Sequence, residues 1–190
     1  MLSHQDLLFS MKISFKNKFL SNKKKPYFVS EIGINHNGRF SLAIEMIRKS
    51  KTAGFDAVKF QRRDSVDLLN INYKIKNGIG YLSKHKNDIP KTSTKFGAWS
   101  YPDERLELKN SDYKKIKSYC RKIKIDLIIT PWDERSVDFV SKLGVKAIKI
   151  ASIDANNYHF CEYVAKKRKP TIISTGMCTY DELIKTQKIF

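Results

Sequence analysis

Tyr27-Phe-Val-Ser-Glu-Ile-Gly-Ile-Asn-His-Asn-Gly38 is a short, β-prone apolar run that ends in a cluster of polar and ionisable side chains. Phe28, Val29, Ile32 and Ile34 supply β-branched or aromatic bulk. Glu31 interrupts the run, Asn35, His36 and Asn37 follow it, and Gly33 and Gly38 leave the backbone free to turn. A buried strand delivers chemistry to its carboxyl end in this way. Two readings of the ionisable residues stay open on this stretch alone. Either Glu31 pairs with a lysine and His36 caps the next helix, or both serve a site.

Working outward, Phe40 to Gly54 reads as an amphipathic helix with Leu42, Met46 and Ile47 on one face and a glycine stop. Phe55 to Phe60 is a second buried strand that carries Lys59 where an apolar residue is expected, so the three segments form a β-α-β unit of the kind that builds parallel sheets. From Gln61 to Asn110 the pattern breaks into a long polar connection with Asn-Gly, Ile-Pro and Tyr-Pro turn signals. The rhythm then returns: a helix over Ser111 to Ile123 opening on a Ser cap, a strand over Ile125 to Thr130, a helix over Glu134 to Leu143 stopped by Gly144, and a strand over Val145 to Ile150. A helix over Asn156 to Lys167, a strand over Pro170 to Ser174 and a helix from Tyr180 complete the series.

Five strands separated by helices suit either a doubly wound sheet or a (β/α)8 barrel, and the strand ends discriminate. Each ends in polar residues: Glu31, Lys59 with Gln61, Thr130, Lys149 with Ser152, and Ser174 with Thr175. A barrel gathers all its strand ends at one mouth, whereas an open sheet binds ligands at one switch point. No GxGxxG or Walker glycine loop favours the second. The expectation is an α/β fold of (β/α)8 TIM-barrel type with about five β/α units present, Val29, Val58, Ile128 and Ile172 facing the barrel interior. Residues 1–25 form a basic extension expected to be poorly ordered.

Composition narrows the function classes. The chain of 190 residues is long enough for one sizeable core, and 41% hydrophobic with 12% aromatic content argues for folding. No apolar run reaches the roughly 20 residues of a membrane span, and the first 25 residues lack a compact apolar segment with a cleavage site, so a cytoplasmic location is expected. Cys120, Cys161 and Cys178 are odd in number and far apart, which reads as reduced packing thiols. A net charge of +18 and a pI near 9.8 raise nucleic acid as a partner, but the lysines are scattered: residues 1–25 hold only six, against one aspartate. With no zinc finger, RNP signature or basic heptads, the charge reads as a compositional bias more than a binding stripe, and an anionic small-molecule substrate also suits it.

Glu31-Ile-Gly-Ile-Asn-His-Asn-Gly38, Ala57-Val-Lys-Phe-Gln61, Thr130-Pro-Trp-Asp133, Lys149-Ile-Ala-Ser152 and Ile173-Ser-Thr-Gly-Met177 together resemble the successive strand-end motifs of the sialic acid synthase family. The resemblance runs from about Pro26 to the last residue and implies that residues 26–190 are the N-terminal part of that family's barrel. It further implies condensation of phosphoenolpyruvate with an N-acylated amino-hexose such as N-acetylmannosamine, giving a nine-carbon 2-keto sugar acid and phosphate. Phosphoenolpyruvate is a compact trianion, so its site must pool lysines, hydroxyls and backbone donors. Lys59, Thr130, Lys149, Ser152 and Ser174 are its ligands as the resemblance implies, Glu31 is the proton-handling carboxylate, and Gln61 and Asp154 contact the sugar.

Two departures matter. Where the family has Gly then Glu after the Lys149 motif, this chain has Ile153 and Asp154, which shortens the second sugar-contacting carboxylate. The family also binds a divalent metal, manganese or magnesium, through two histidines of later strands. His36, His85 and His159 do not match those positions, and neither the last three β/α units nor the antifreeze-like domain that completes a homodimer's site is matched. The expectation is a metal-dependent, dimeric complete enzyme with its metal ligands outside this sequence, and a 190-residue chain that is inactive alone and prone to self-association through unpaired strand edges. A residual anion-binding half-barrel without catalysis is the alternative; a basic nucleic-acid-binding protein is a weaker one.

Overall fold

The computed structural model describes residues 13–15, 18–20, 25–64 and 106–190. Within the basic extension, strands β1 (Ile13–Phe15) and β2 (Lys18–Leu20) pair antiparallel as a two-stranded sheet. The rest is built on a five-stranded parallel sheet of β3 (Val29–Gly33), β4 (Ala57–Arg62), β5 (Asp126–Pro131), β6 (Ala147–Ile150) and β7 (Thr171–Ile173). The strands lie side by side in chain order. A doubly wound sheet reverses direction at a switch point, whereas unbroken sequential order is the arrangement of a (β/α)8 barrel wall.

Helices α1 (Phe40–Thr52), α2 (Asn110–Lys122), α3 (Glu134–Leu143), α4 (Tyr158–Ala165) and α5 (Tyr180–Gln187) alternate with the strands. Helices α1 to α4 pack into one core with one face of the sheet. Ile47, Tyr113, Ile116, Val140 and Phe160 meet strand residues Ile32, Val58, Phe60, Ile129 and Ile150 there. The other face carries a smaller cluster, Ala57, Ile128 and Ala147, with Tyr27, Val29 and Ile172 against it. Because side chains alternate across a strand, Val58 lies on the helix side while its neighbours Ala57 and Lys59 lie on the other. This corrects the expectation that Val58 shares a face with Val29, Ile128 and Ile172; those three lie on the sheet face away from the helices.

Local chemistry sets the element ends. Gly144, at φ +72°, ends α3 in the left-handed conformation that glycine adopts without strain. Asp133 caps α3 by accepting from Ser136 N, and Thr179 with Glu182 forms a reciprocal capping box on α5. Ser111 is not a cap: α2 begins one residue earlier, with Lys109 at the cap position and no side-chain bond there. On α1 the buried positions are Ala43, Ile47 and Ser50: Ile47 lies in the core as expected, Met46 is partly buried against it, and the stripe is rotated away from Leu42. The Asn-Gly, Ile-Pro and Tyr-Pro turn signals between Gln61 and Asn110, and His85, lie outside the described residues. No helix among the described residues is long and apolar enough to cross a membrane.

Candidate functional site

The face opposite the helices carries polar side chains toward the strands' carboxyl ends, and the register explains why. Glu31 pairs with Lys59 across β3 and β4, Gln61 with Thr130 across β4 and β5, and Lys149 with Ile172 across β6 and β7. Paired residues of a parallel sheet share a face, so the polar residues of four strands, with Ser174 just after the fifth, open onto one surface.

Direct contacts tie them together. Lys59 Nζ lies 2.6 Å from Glu31 Oε2 and donates to Thr130 Oγ1 at 3.2 Å. Lys149 Nζ donates to Ser174 Oγ at 2.6 Å and to the Ile150 carbonyl. Burial, and then the neighbouring Lys59 charge, depress the Lys149 ammonium to about 8, with Glu31 opposing the shift. Gly33 sits at φ +57°, and a Cβ there would stand 3.4 Å from Glu31 Oε1 and 3.7 Å from Gln61 Nε2. Glycine therefore admits both the turn and the approach of a carboxylate and an amide.

Ser152 and Asp154 occupy a 3-10 turn, Ser152–Asp154, directly after β6. Neither hydrogen-bonds to the lysine cluster. The Asp154 carboxyl is pushed up by burial, and its Oδ2 is buried without a hydrogen-bond partner among the described residues.

His36 is fully buried, stacked on Phe60 at 5.7 Å, with Nδ1 accepting from Gly38 N at 3.1 Å. That is turn duty; α1 starts at Phe40 with Arg39 at its cap position and no side-chain cap. Burial lowers His36 to about 4, so the ring is neutral. His159 lies 3.5 Å from Glu134, mostly exposed. Among the described residues no three His, Cys, Asp or Glu side chains converge into a group that could hold a metal ion. The described side chains do not make up a donor set for a divalent cation.

Below this surface lies a network that the sequence reading did not assign. Arg62 Nη1 donates to Ser136 Oγ and Nη2 to Asn110 Oδ1 at 2.8 Å, while Asp133 Oδ2 accepts from Ser136 Oγ and from Asp64 N, both at 2.7 Å. Tyr113 Oη donates to the Gln61 carbonyl at 2.8 Å. These bonds hold the end of β4, and with it Gln61, against α2 and α3. A signal was available: Arg62 is a charge in phase with the buried Val58 and Phe60, and Asp133 precedes Ser136 at helix-cap spacing.

A family model described as the NeuB family matches residues 46–190. The chain belongs to the NeuB family. The N,N'-diacetyllegionaminic acid synthase of Legionella pneumophila is 34% identical over 83% of this chain and 41% of its own length. Mouse N-acetylneuraminate-9-phosphate synthase is 30% identical over 90% of the chain and 45% of its own. The chain thus spans less than half the length of these NeuB-family relatives. A solved N-acetylneuraminic acid synthetase from Leptospira borgpetersenii superposes with a TM-score of 0.73 at 23% identity, over 95% of this chain and 55% of the other. A truncated 3-deoxy-D-arabino-heptulosonate 7-phosphate synthase from Thermotoga maritima does so at 0.59 and 11% identity, over 93% and 51%. These two structures are similar in fold.

Proposed function

We propose that this chain forms the phosphoenolpyruvate-binding wall of a (β/α)8-type sialic acid synthase, which condenses phosphoenolpyruvate with an N-acylated amino-hexose such as N-acetylmannosamine. The observation that carries the reading is the convergence of Lys59 and Lys149, with Thr130 and Ser174 bonded to them, on the face opposite helices α1 to α4 at the strands' carboxyl ends. Two ammonium groups and two hydroxyls suit the carboxylate and phosphate of a small trianion. Ser152, on the following turn, is a further phosphate donor. Family membership and the legionaminic, pseudaminic and neuraminic acid products named for the relatives support the reaction class.

Glu31 is the proton-handling group. Its side chain is 55% exposed, unlike its partner Lys59 at 12%, so it can reach a second substrate above the lysines. In the condensation, carbon 3 of phosphoenolpyruvate attacks the sugar aldehyde, whose oxygen takes up a proton, water adds at carbon 2, and phosphate then leaves carbon 2 to give the keto group. Glu31 takes the proton that the water loses. Gln61 beside it, and Asp154 with its unpartnered oxygen, hold the sugar. A divalent metal, manganese or magnesium, belongs to the complete enzyme in this reading; the described residues offer no set of ligands for it, so no step is assigned to it. The complete enzyme is a homodimer on this proposal, acting in the cytoplasm, and residues 1–25 are an extension outside the barrel.

Calorimetric titration of the 190-residue chain with phosphoenolpyruvate tests the reading. Saturable binding without phosphate release on adding N-acetylmannosamine and manganese is the expected result. No binding, or binding unchanged when both Lys59 and Lys149 are replaced by glutamine, overturns it. Binding by a complete enzyme that never turns over would instead favour the non-catalytic anion-binding half-barrel.

A further inference from the structure

At the opposite edge of the sheet, where the strands begin, a cavity of about 440 Å³ opens between the end of α2 and the amino ends of β5, β6 and β7. Its volume is in the range of small-molecule sites. The two ends of the cavity's chemistry are distinct. Cys120, Ile125, Leu127 and Val145, all nearly inaccessible, give it an apolar floor. Lys117, Arg121, Lys146 and Lys169 also line it, and Asp126 is the one acid among the described lining residues.

The state of these charges matters more than their number. Asp126 Oδ2 already accepts from Tyr27 Oη at 2.6 Å and lies 3.8 Å from Lys146. Lys117 Nζ donates to the Gly144 carbonyl. Arg121 and Lys169 have no ion pair among the described residues. Among the described residues, Arg121 and Lys169 remain as cations beyond the Lys146–Asp126 pair and leave a positive field over an apolar floor, and field lines concentrate in a low-dielectric concavity. Arg supplies the planar donor fork that matches phosphate. The Cys120 thiol, pushed up to about 12 by burial, stays neutral and adds no opposing charge.

We propose that this cavity is a second anion site, separate from the strand-end surface, which takes a phosphate monoester with a compact apolar body: the phosphate against Arg121 and Lys169, the body on the floor. The inference stands apart from the phosphoenolpyruvate reading, because it uses the other edge of the sheet.

The test uses the full chain labelled with nitrogen-15, with phenyl phosphate as probe and inorganic phosphate as the bare-anion comparison. Saturable shifts of the Leu127, Val145 and Lys146 amides are expected, with phenyl phosphate at least threefold tighter than inorganic phosphate. Arg121→Gln with Lys169→Gln should weaken the probe at least tenfold, whereas Lys185→Gln with Lys188→Gln, which removes the same charge on and just beyond α5, should change it less than twofold. Binding at the strand-end surface is read separately, at Thr175 and Gly176. No saturable shift at the cavity amides overturns the site, as does equal weakening by the α5 control. Equal affinity for the two probes overturns the apolar-body assignment.

Discussion

The Lys59 ammonium lies 2.6 Å from the Glu31 carboxylate, and the sheet register pairs the same two residues across β3 and β4. Their contact is therefore dictated by the backbone. Half-exposed as Glu31 is, the pair stabilises little in itself, on the order of 0–1 kcal/mol. What the contact fixes is position: a carboxylate at the rim of a surface whose deeper groups are cationic.

Glu31→Gln keeps the size of the side chain and removes its capacity to accept a proton. In a complete enzyme, phosphoenolpyruvate affinity should stay within a few-fold and turnover should be lost. Single-turnover rates within tenfold of wild type would contradict proton handling by Glu31.

Lys149→Ala should remove phosphoenolpyruvate binding. Loss of a desolvated charge-assisted contact costs on the order of 2–3 kcal/mol, a factor near ~10² in affinity. Because the Lys149 ammonium sits at about 8 in the free protein, affinity should be full below that pH and fall as pH rises through it. Calorimetry at pH 6.5, 8 and 9.5 checks both points, and a flat profile would argue that Lys149 does not meet the anion.

Asp133→Ala removes the α3 cap and leaves Ser136 N, Ser136 Oγ and Asp64 N without their shared acceptor. A lost cap and buried donors left unsatisfied should together cost about 2–4 kcal/mol. The urea midpoint reports it; a change below roughly 0.5 kcal/mol would mean that water replaces the carboxylate at no cost.

His36 gives a pH dependence whose sign is fixed by burial. Its folded value, about 4, lies below the ordinary 6.5, so below pH 6.5 the unfolded chain takes up a proton that the folded chain refuses. The stability held at neutral pH is lost progressively between pH 6.5 and 4, to a total of about 3 kcal/mol. His36→Gln should flatten that part of the stability profile. An unchanged slope would show that carboxylates, not His36, set acid sensitivity.

Much was legible in order along the chain. β-branched runs ending in polar residues, with amphipathic segments between them, specify a β-α series, and five motifs in order specify the family. Glycine and Asn/Asp/Ser/Thr punctuation located Gly144 as a stop to the residue, since only a left-handed turn is needed there. It misplaced the start of α2, because Lys109 begins that helix without any capping side chain that a sequence could advertise.

Residue order alone sets which residue types stand at the strand ends, because motif spacing is a one-dimensional property. Which of them meet is set by strand pairing in three dimensions. Strand pleat and register put Glu31, Lys59, Thr130 and Lys149 on the face away from helices α1 to α4 and moved Val58 to those helices, a choice that turns on one residue of phase. It also left Ser152 and Asp154 on a turn beside the lysine cluster and buried His36 as a neutral ring. Those outcomes depend on how strands pair and on what each side chain loses in solvation, and neither quantity is carried by residue order.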